Sequence, residues 1–553
     1  MAKQLFPLVV YYYHHAPPRP DKDCTIPAIP LHSFSFIMIE WLLDQSNATS
    51  AFCQQNIMSL TLELMSDSYL LENEVVDGLI LNLFALGQGI KRREPQQRRL
   101  VYTTYDDTLL DHGDMHLSKM ACLHLVSALC PYLGADLCSK HCVPVLESFW
   151  NDSIFYVRKE VALTISSLAP HLDEDVLTQR LIPIFEQLCK DATWHVRHNS
   201  LIALPTLCDL VSHDLKVRLV GPCVQRFMND LSQQVRFKLA ELIGALIVKF
   251  LPKDWESSRA PGNVPAPLVE FFLSLGNQSR HEPGQHRLED DMVLLCAFNF
   301  PAALLTVGAS AWDTEFKDVY MKLAKDHQVK VRTSLAHSLH EISRILGPEK
   351  TERDLVHIFA LYLMDVDQVK ACVLDHLAAF LQGLPDHSRQ EYLPVLSEIW
   401  EGLDDNYRLR EVFTEQLDAC LVFCSLDQII DQILPLTAQA TKDSIAIIRN
   451  NAAILIHHIV QIFHDHVDQF DKSMAILIDH IHTLTTSSQY HHRLLYVTIC
   501  QHLISAEDLT LETWAKWLTP GLFPLVKDPV VNAIATVTLT LQSSSCKQIQ
   551  SMT

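Results

Sequence analysis

The sequence predicts an all-α solenoid of stacked helical hairpins, and three observations predict it. A segment recurs at a period of about 39 residues, the signature of a helical-repeat array. Within each unit, aliphatic residues return eight positions apart, just over two helical turns, so they share one face. Glycine is scarce, 15 residues in 553, which disfavours folds that use it in turns, bulges and phosphate loops. Length alone would give roughly three or four globular domains. A repeat array instead makes one elongated body of roughly 13 or 14 units.

The repeat is visible in NDSIFYVRKEVALTISSL (151–168), KDATWHVRHNSLIALPTL (190–207) and NDLSQQVRFKLAELIGAL (229–246). It returns in KDHQVKVRTSLAHSLHEI (325–342), MDVDQVKACVLDHLAAF (364–380), LDDNYRLREVFTEQL (403–417) and KDSIAIIRNNAAILIHHI (442–459). The basic anchors are Arg158, Arg197 and Arg236, then Arg332, Lys370, Arg410 and Arg449, with Lys119 one period upstream of the first. Before each anchor stands an aliphatic residue: Val157, Val196, Val235, Val331, Val369, Leu409 or Ile448. Seven residues after it stands another: Ile165, Leu204, Ile243, Leu339, Leu377, Leu417 or Ile456. One hairpin cannot bury that face, so the next repeat must stack on it.

Six residues before the anchor comes Asp152, Asp191, Asp230, Asp326, Asp404 or Asp443; the Lys370 unit has Asp365 one place later. This Asp is expected at the turn inside the hairpin, capping the incoming helix and facing the stacked arginines. Asp152, Arg158, Asp191, Arg197, Asp230, Arg236, Asp326, Arg332, Asp404, Arg410, Asp443 and Arg449 are therefore expected to form a structural Asp/Arg ladder. Pro144, Pro183, Pro222 and Pro435 stand fourteen before their anchors and should start or kink the first helix of the pair. Period, proline and the Asp-to-Val-Arg turn together read as HEAT repeats.

The chain divides by pattern into an irregular leader (1–30), an N-terminal repeat block (31–251), a loop-rich break in register (252–290), a C-terminal block (291–543) and a tail (544–553). Within the break, PKDWESSRAPGNVPAP and GNQSRHEPGQHR are rich in Pro, Gly and polar residues, as loops are. KRREPQQRR (91–99) reads as a solvated loop between helices. Val293 to Trp312 has no charged residue and is long enough to cross a membrane. Asn299 and Pro301 near its middle and the acidic Glu289, Asp290 and Asp291 before it favour a buried helical hairpin.

Composition narrows function. A hydrophobic content of 48% excludes a disordered chain, and a net charge of −21 argues against nucleic-acid binding. The 15 cysteines lack a secretory pairing pattern, so a reducing compartment and buried thiols are expected. Gly113-Asp114-Met115-His116 matches only the first metal motif of metallophosphoesterases, and no second motif accompanies it. His457/His458, His464/His466, His480/His482 and His491/His492 cluster, but read as polar positions on helix faces rather than as ligands. No HExxH, CxxC, GxSxG or GxxxxGK[ST] occurs. No catalytic residue, cofactor or metal is expected.

What remains distinctive is the turn inside each repeat, whose tips stacked repeats align in a row. Tyr156, Trp194, His195, Gln234, Lys330, Gln368, Tyr407 and Arg408 are the candidate partner-binding residues, because aromatic and arginine side chains are the usual interface anchors.

CAFNFPAALLTVGASAW (296–312), KDHQVKVRTSLAHSLHEISRILG (325–347) and YRLREVFTEQL (407–417) resemble the regulatory subunit 1 family of serine/threonine protein phosphatase 4, itself related to the phosphatase 2A scaffold subunit. The likeness runs over roughly 115–540. It implies a non-catalytic scaffold that binds a phosphatase catalytic subunit and helps recruit phosphoprotein substrates, alongside further regulatory subunits. A cytoplasmic location is expected, with the nucleus as an additional option, and the charge and the reading of 293–312 leave neither a nucleic-acid nor a membrane partner expected. In the phosphatase 2A scaffold the intra-repeat turns hold the catalytic subunit with a Trp-Arg pair at one tip. Tyr407-Arg408 takes that position here, with Tyr replacing Trp, and Trp194-His195 takes it in an earlier repeat. The break at 252–290 interrupts the ridge, and the long acidic insertion of the resembled family is replaced by short loops. The alternative reading is another interaction solenoid, a phosphatase 2A scaffold subunit or a transport adaptor.

Overall fold

A computed structural model describes residues 112–277, 287–403, 406–505 and 511–530. The leader, the KRREPQQRR stretch, Asp404 and the tail lie outside them, as do parts of the loop-rich break and of the last repeat. The described residues are helices and turns without a strand. The chain divides into two compact units, Met1–Ser258 with Gly262–Phe272, and Arg259–Pro261 with Leu273–Thr553.

In the first unit the principal helices are α1 (His112–Leu137), α2 (Val143–Phe149), α3 (Phe155–Leu168), α4 (Ile182–Leu188), α5 (Trp194–Leu210), α6 (His213–Phe227) and α7 (Gln233–Val248). In the second they are α8 (Arg287–Val307), α9 (Lys317–Ala324), α10 (Val329–Leu346), α11 (Val356–Leu363), α12 (Asp367–Leu374), α13 (Leu377–Gln382), α14 (Tyr407–Cys420), α15 (Leu434–Ala440), α16 (Ala446–Asp465), α17 (Phe470–Thr485) and α18 (Tyr490–Ser505). Each basic anchor sits in the first turn of the second helix of its hairpin, or in the first turns of α1 for Lys119. Within the first unit α3 packs on both α1 and α5, and α5 on α7. Within the second, α10 packs on α8 and α12, and α16 on α14 and α18.

The repeat pattern explains that stacking. All fourteen aliphatic positions flanking the anchors are buried, from Val157 and Ile165 through Ile448 and Ile456. Burying each such side chain contributes about 1.5–3 kcal/mol. The Lys370 unit is the irregular one: its helix breaks at His376, yet Leu377 still reaches the core.

The prolines act through the turn before them. Pro144, Pro183 and Pro435 each follow a five-residue π turn, at Cys138–Cys142, Leu177–Leu181 and Ile429–Ile433. A proline ring cannot donate and crowds the carbonyl four residues back. The turn therefore widens, and the residue before proline donates five residues back: Val143 N–H to Cys138 O, Ile182 N–H to Leu177 O, Leu434 N–H to Ile429 O. Pro222 sits inside α6 without a π turn.

The apolar stretch 293–312 is not a hairpin in itself. α8 runs through Pro301 to Val307, and the chain turns only at Gly308, whose φ of 100° is a glycine conformation. α8 from Asp291 and the segment Ala309–Ala324 are bent by 112°. Trp312 is fully buried beyond the turn, and its indole donates to Asp354 Oδ2 at 2.8 Å. Among the described residues one helix, α16, is long and apolar enough to cross a membrane by composition. It is the second helix of a repeat, with Ile448, Leu455, Ile456 and Ile459 in the core.

Candidate partner-binding tips and the ladder behind them

The turn at each tip is set by its aspartate. Oδ1 of Asp152, Asp191, Asp230, Asp326, Asp443 and Asp528 accepts the backbone N–H two residues on, at 2.8–2.9 Å. The carboxylate thus closes the turn just ahead of the helix. It does not cap the helix itself, as the sequence suggested: the N-cap residues Ile154, Thr193, Ser232, Gln328 and Ile445 make no side-chain cap bond.

Most of these carboxylates, and Asp365, also receive the arginine of the preceding repeat. Nε and Nη2 of Arg158 hold Asp191, those of Arg197 hold Asp230, those of Arg332 hold Asp365, and those of Arg410 hold Asp443. Lys119 pairs with Asp152 in the same register. Nη1 of Arg158, Arg197 and Arg332 turns back to the backbone carbonyl of its own repeat's Asp. Each guanidinium therefore ties its own turn to the next one. These are bidentate, charge-assisted and largely buried pairs; in Arg410–Asp443 the side chains are 10% and 6% exposed. Burial works to raise the carboxyls of Asp191 and Asp230, but the arginine and the turn N–H outweigh it and hold them below the usual carboxylate range. For Asp365 and Asp528 the arginine is the leading cause of the lowering.

Two expected rungs are absent. Arg236 and Arg449 keep only the bonds to their own turns, from Nη1 to Asp230 O and Leu231 O, and to Asp443 O and Ser444 O. Neither has a carboxylate partner among the described residues. Conversely, Arg493 grips Asp528 through Nε and Nη2, at 2.5 and 3.0 Å, a rung that the spacing did not reveal. Asp404 lies outside the described residues, so the partner of the Lys370 unit is not assigned.

The candidate partner-binding residues all stand at the tips. Tyr156, Trp194 and Tyr407 are 54%, 36% and 43% exposed, Gln234, Lys330, Gln368 and Arg408 are exposed, and His195 is half-buried. In the first unit two successive tips share one line of rings. Phe155 meets Tyr156 at 4.0 Å and His195 at 5.5 Å, and His195 stacks on Trp194 at 3.7 Å. Leu231, an aliphatic residue that an expectation of aromatic and charged anchors does not single out, is almost wholly exposed at the following tip.

In the second unit the Tyr407 tip is held differently. Asn406 Oδ1 accepts Arg408 N–H, capping α14, while its Nδ2 donates to Asp367 Oδ2 on the preceding tip at 2.8 Å. Arg408 lies 5.9 Å from the Tyr407 ring centre, a cation–π distance. Exposed Met364 and Val366 at that preceding tip add apolar surface that residue type alone does not signal. The tips thus present exposed aromatic and cationic side chains, the residue types that commonly anchor protein interfaces.

Gly113–His116 falls at the start of α1 rather than at a strand end. No group of three or more His, Cys, Asp or Glu side chains is placed to hold a metal among the described residues.

Comparisons with known proteins place this geometry. Residues 296–399 match the protein phosphatase 4 regulatory subunit 1 middle domain, and residues 174–251 match the PPP2R1A-like HEAT repeat. The human serine/threonine-protein phosphatase 4 regulatory subunit 1 is 29% identical over 296 residues, 53% of this chain and 30% of the relative; the mouse protein gives the same values. The match thus spans less than a third of the length of these relatives. Among solved structures, Kap95p with RanGDP aligns at TM-score 0.52 and 13% identity, over 93% of this chain and 62% of that one. Free yeast importin-beta (Kap95p) aligns at 0.50 and 12%, with the same coverage. These structural likenesses concern the fold alone. The chain is an all-α helical-repeat protein similar to phosphatase 4 regulatory subunit 1, as its residues suggested.

Proposed function

We propose that the chain acts as a non-catalytic regulatory scaffold of a phosphatase 4-type serine/threonine phosphatase. In this reading it binds the catalytic subunit through its intra-repeat tips and helps bring phosphoprotein substrates to it. The observation that carries the reading is the match of residues 296–399 to the middle domain of the regulatory subunit, in the unit that also mounts Tyr407 and Arg408. The physical support is the mounting itself. The tip residues spend no side chain on the core, because the aliphatic residues behind them fill it and the Asp turns fix the backbone. Their exposed rings and guanidinium are held in place before binding, which lowers the entropy cost of an interface.

The scaffold reading also fits the absence of catalytic motifs from the sequence and the commitment of most ladder carboxylates to arginine. Further regulatory subunits, and a cytoplasmic and nuclear location, belong to the same proposal. Affinity purification of the tagged chain from cells, with identification of what co-purifies, tests it. Recovery of a phosphatase 4-type catalytic subunit is expected. Its consistent absence, with other proteins recovered, would contradict the reading.

A further inference from the structure

In the second unit the ladder has a cation without its anion. The rule elsewhere is geometric: an anchor arginine reaches, through Nε and Nη2, the carboxylate that opens the next turn, and through Nη1 the carbonyl six residues before itself. Arg493 obeys the second half of the rule at Ser487, whose carbonyl accepts its Nη1 at 2.7 Å. Ser487 therefore holds the position that Asp191, Asp230 and Asp443 hold in other repeats. It also keeps the turn, since its Oγ accepts the N–H of Gln489 two residues on. It lacks the charge. α16 packs on α18, so Arg449 stands before a turn built like the others but opened by a serine.

Arg449 is consequently a half-used guanidinium. Its Nη1 bonds the carbonyls of Asp443 and Ser444, which fixes the plane of the group. Its Nε and Nη2 edge, which in Arg158, Arg197, Arg332, Arg410 and Arg493 grips a carboxylate, has no partner among the described residues. Asp443, the nearest carboxylate in sequence, is taken by Arg410. The surroundings add the positive charge of one lysine, and two imidazoles. Exposed Lys442 precedes Asp443, and His491 and His492, in the first turn of α18, lie close enough to Arg449 to feel its charge; His492 Nδ1 also meets Ser487 Oγ at 3.0 Å. Burial first, and the charge of Arg449 next, keep the His491 imidazole below its usual range; burial, His491 and Arg449 do so for His492. Exposed Ile447 and Tyr490 border the patch from the same two helix starts.

We infer that the open edge of Arg449 is a receptor for a carboxylate of an acidic peptide segment of a partner protein, with Lys442, His491 and His492 beside it and Ile447 and Tyr490 offering apolar contact. Charge complementarity and the internal comparison select this occupant. Five sister arginines of the same chain bind a carboxylate through the same edge, so the fork is set for a planar, bidentate anion. A net charge of −21 makes such a cationic patch a local exception on an acidic chain, so recognition is short-range and salt-sensitive.

The test titrates the full chain with a short fluorescein-labelled peptide of glutamates, aspartates and leucines, read by anisotropy at low salt. The parent chain is expected to bind, and Arg449→Glu to weaken binding by about tenfold or more, the loss of one charge-assisted fork. Ser487→Asp is the decisive variant, because it supplies the missing rung from within. It should weaken peptide binding to a similar degree while raising the thermal midpoint, which separates a filled site from a damaged fold. Arg344→Glu, the same charge reversal on exposed α10 surface, should bind as the parent does. Affinity unchanged within about twofold in both Arg449→Glu and Ser487→Asp would overturn the inference. So would a phosphoserine peptide of the same length outcompeting the carboxylate peptide.

Discussion

Arg410 and Arg449 stand one repeat apart and occupy the same place on their helices, but they meet different neighbours. Arg410 is clamped between its own turn and Asp443 of the next repeat, and both partners are almost fully covered. Arg449 is clamped only to its own turn, because Ser487 stands where the next aspartate would. The aspartate does two jobs, closing a turn and receiving an arginine, and Ser487 shows that the two are separable. A serine oxygen suffices for the turn. Only the carboxylate completes the rung.

The largest expected effect comes from breaking the complete rung. Asp443→Ala leaves a buried guanidinium without its anion and should cost about 3–5 kcal/mol, measured by urea unfolding. A loss below about 1 kcal/mol would mean that water replaces the partner and that the rung is no more than a surface pair. Next comes another buried carboxylate of this unit. Asp354 is held by the Trp312 indole with Lys317 and Arg353 beside it, so Trp312→Phe removes one of several donors. It should cost about 1–3 kcal/mol, less than Asp443→Ala.

Acid separates the two kinds of turn further. The carboxyls of Asp191, Asp230, Asp365 and Asp528 have lowered pKa values in the folded chain. Their stabilisation is therefore complete above the unfolded value near 4 and is lost as pH falls through the folded values. Thermal midpoints should be flat from neutrality to about pH 4.5 with respect to these groups and fall steeply below about pH 4. Ser487 has nothing to titrate, so Ser487→Asp should steepen that fall. The smallest effect belongs to Arg449→Ala, which loses only the Nη1 bonds to its own turn and should cost about 1 kcal/mol, since no rung is lost. A cost as large as that of Asp443→Ala would show that Arg449 has a structural partner after all.

The comparison also shows what a sequence can disclose here. The fold was legible because the repeat states its core twice per unit, and each of the fourteen flanking aliphatic residues is buried. Rungs at a constant distance were legible too, such as Arg158–Asp191 and Arg410–Asp443, each 33 residues apart. Arg493–Asp528 was hidden because its partners lie 35 apart and His492, not an aliphatic residue, precedes the arginine. Asp365 looked displaced by one position, yet it stays 33 residues from Arg332 because the slip is absorbed inside its own turn. Arg236 and Arg449 were assigned to the ladder on their own side chains, although a rung belongs to two repeats. Trp312–Asp354 has no counterpart in other repeats, so periodicity had nothing to reveal. At the tips, residue type pointed to Trp194, Tyr407 and Arg408, but the line of rings from Tyr156 to Trp194 needs the stacking of two repeats, which only coordinates give.

The most direct test of the scaffold account is a binding titration of the purified chain with a purified phosphatase 4 catalytic subunit, repeated with the double variant Tyr407→Ala, Arg408→Glu. Both side chains are exposed at a tip, so the variant should keep the parent's helicity and thermal midpoint. The account predicts that the parent chain binds and that the variant binds at least about tenfold more weakly. A parent chain that does not bind would contradict the scaffold function, and a variant that binds undiminished would remove the Tyr407 tip from the interface.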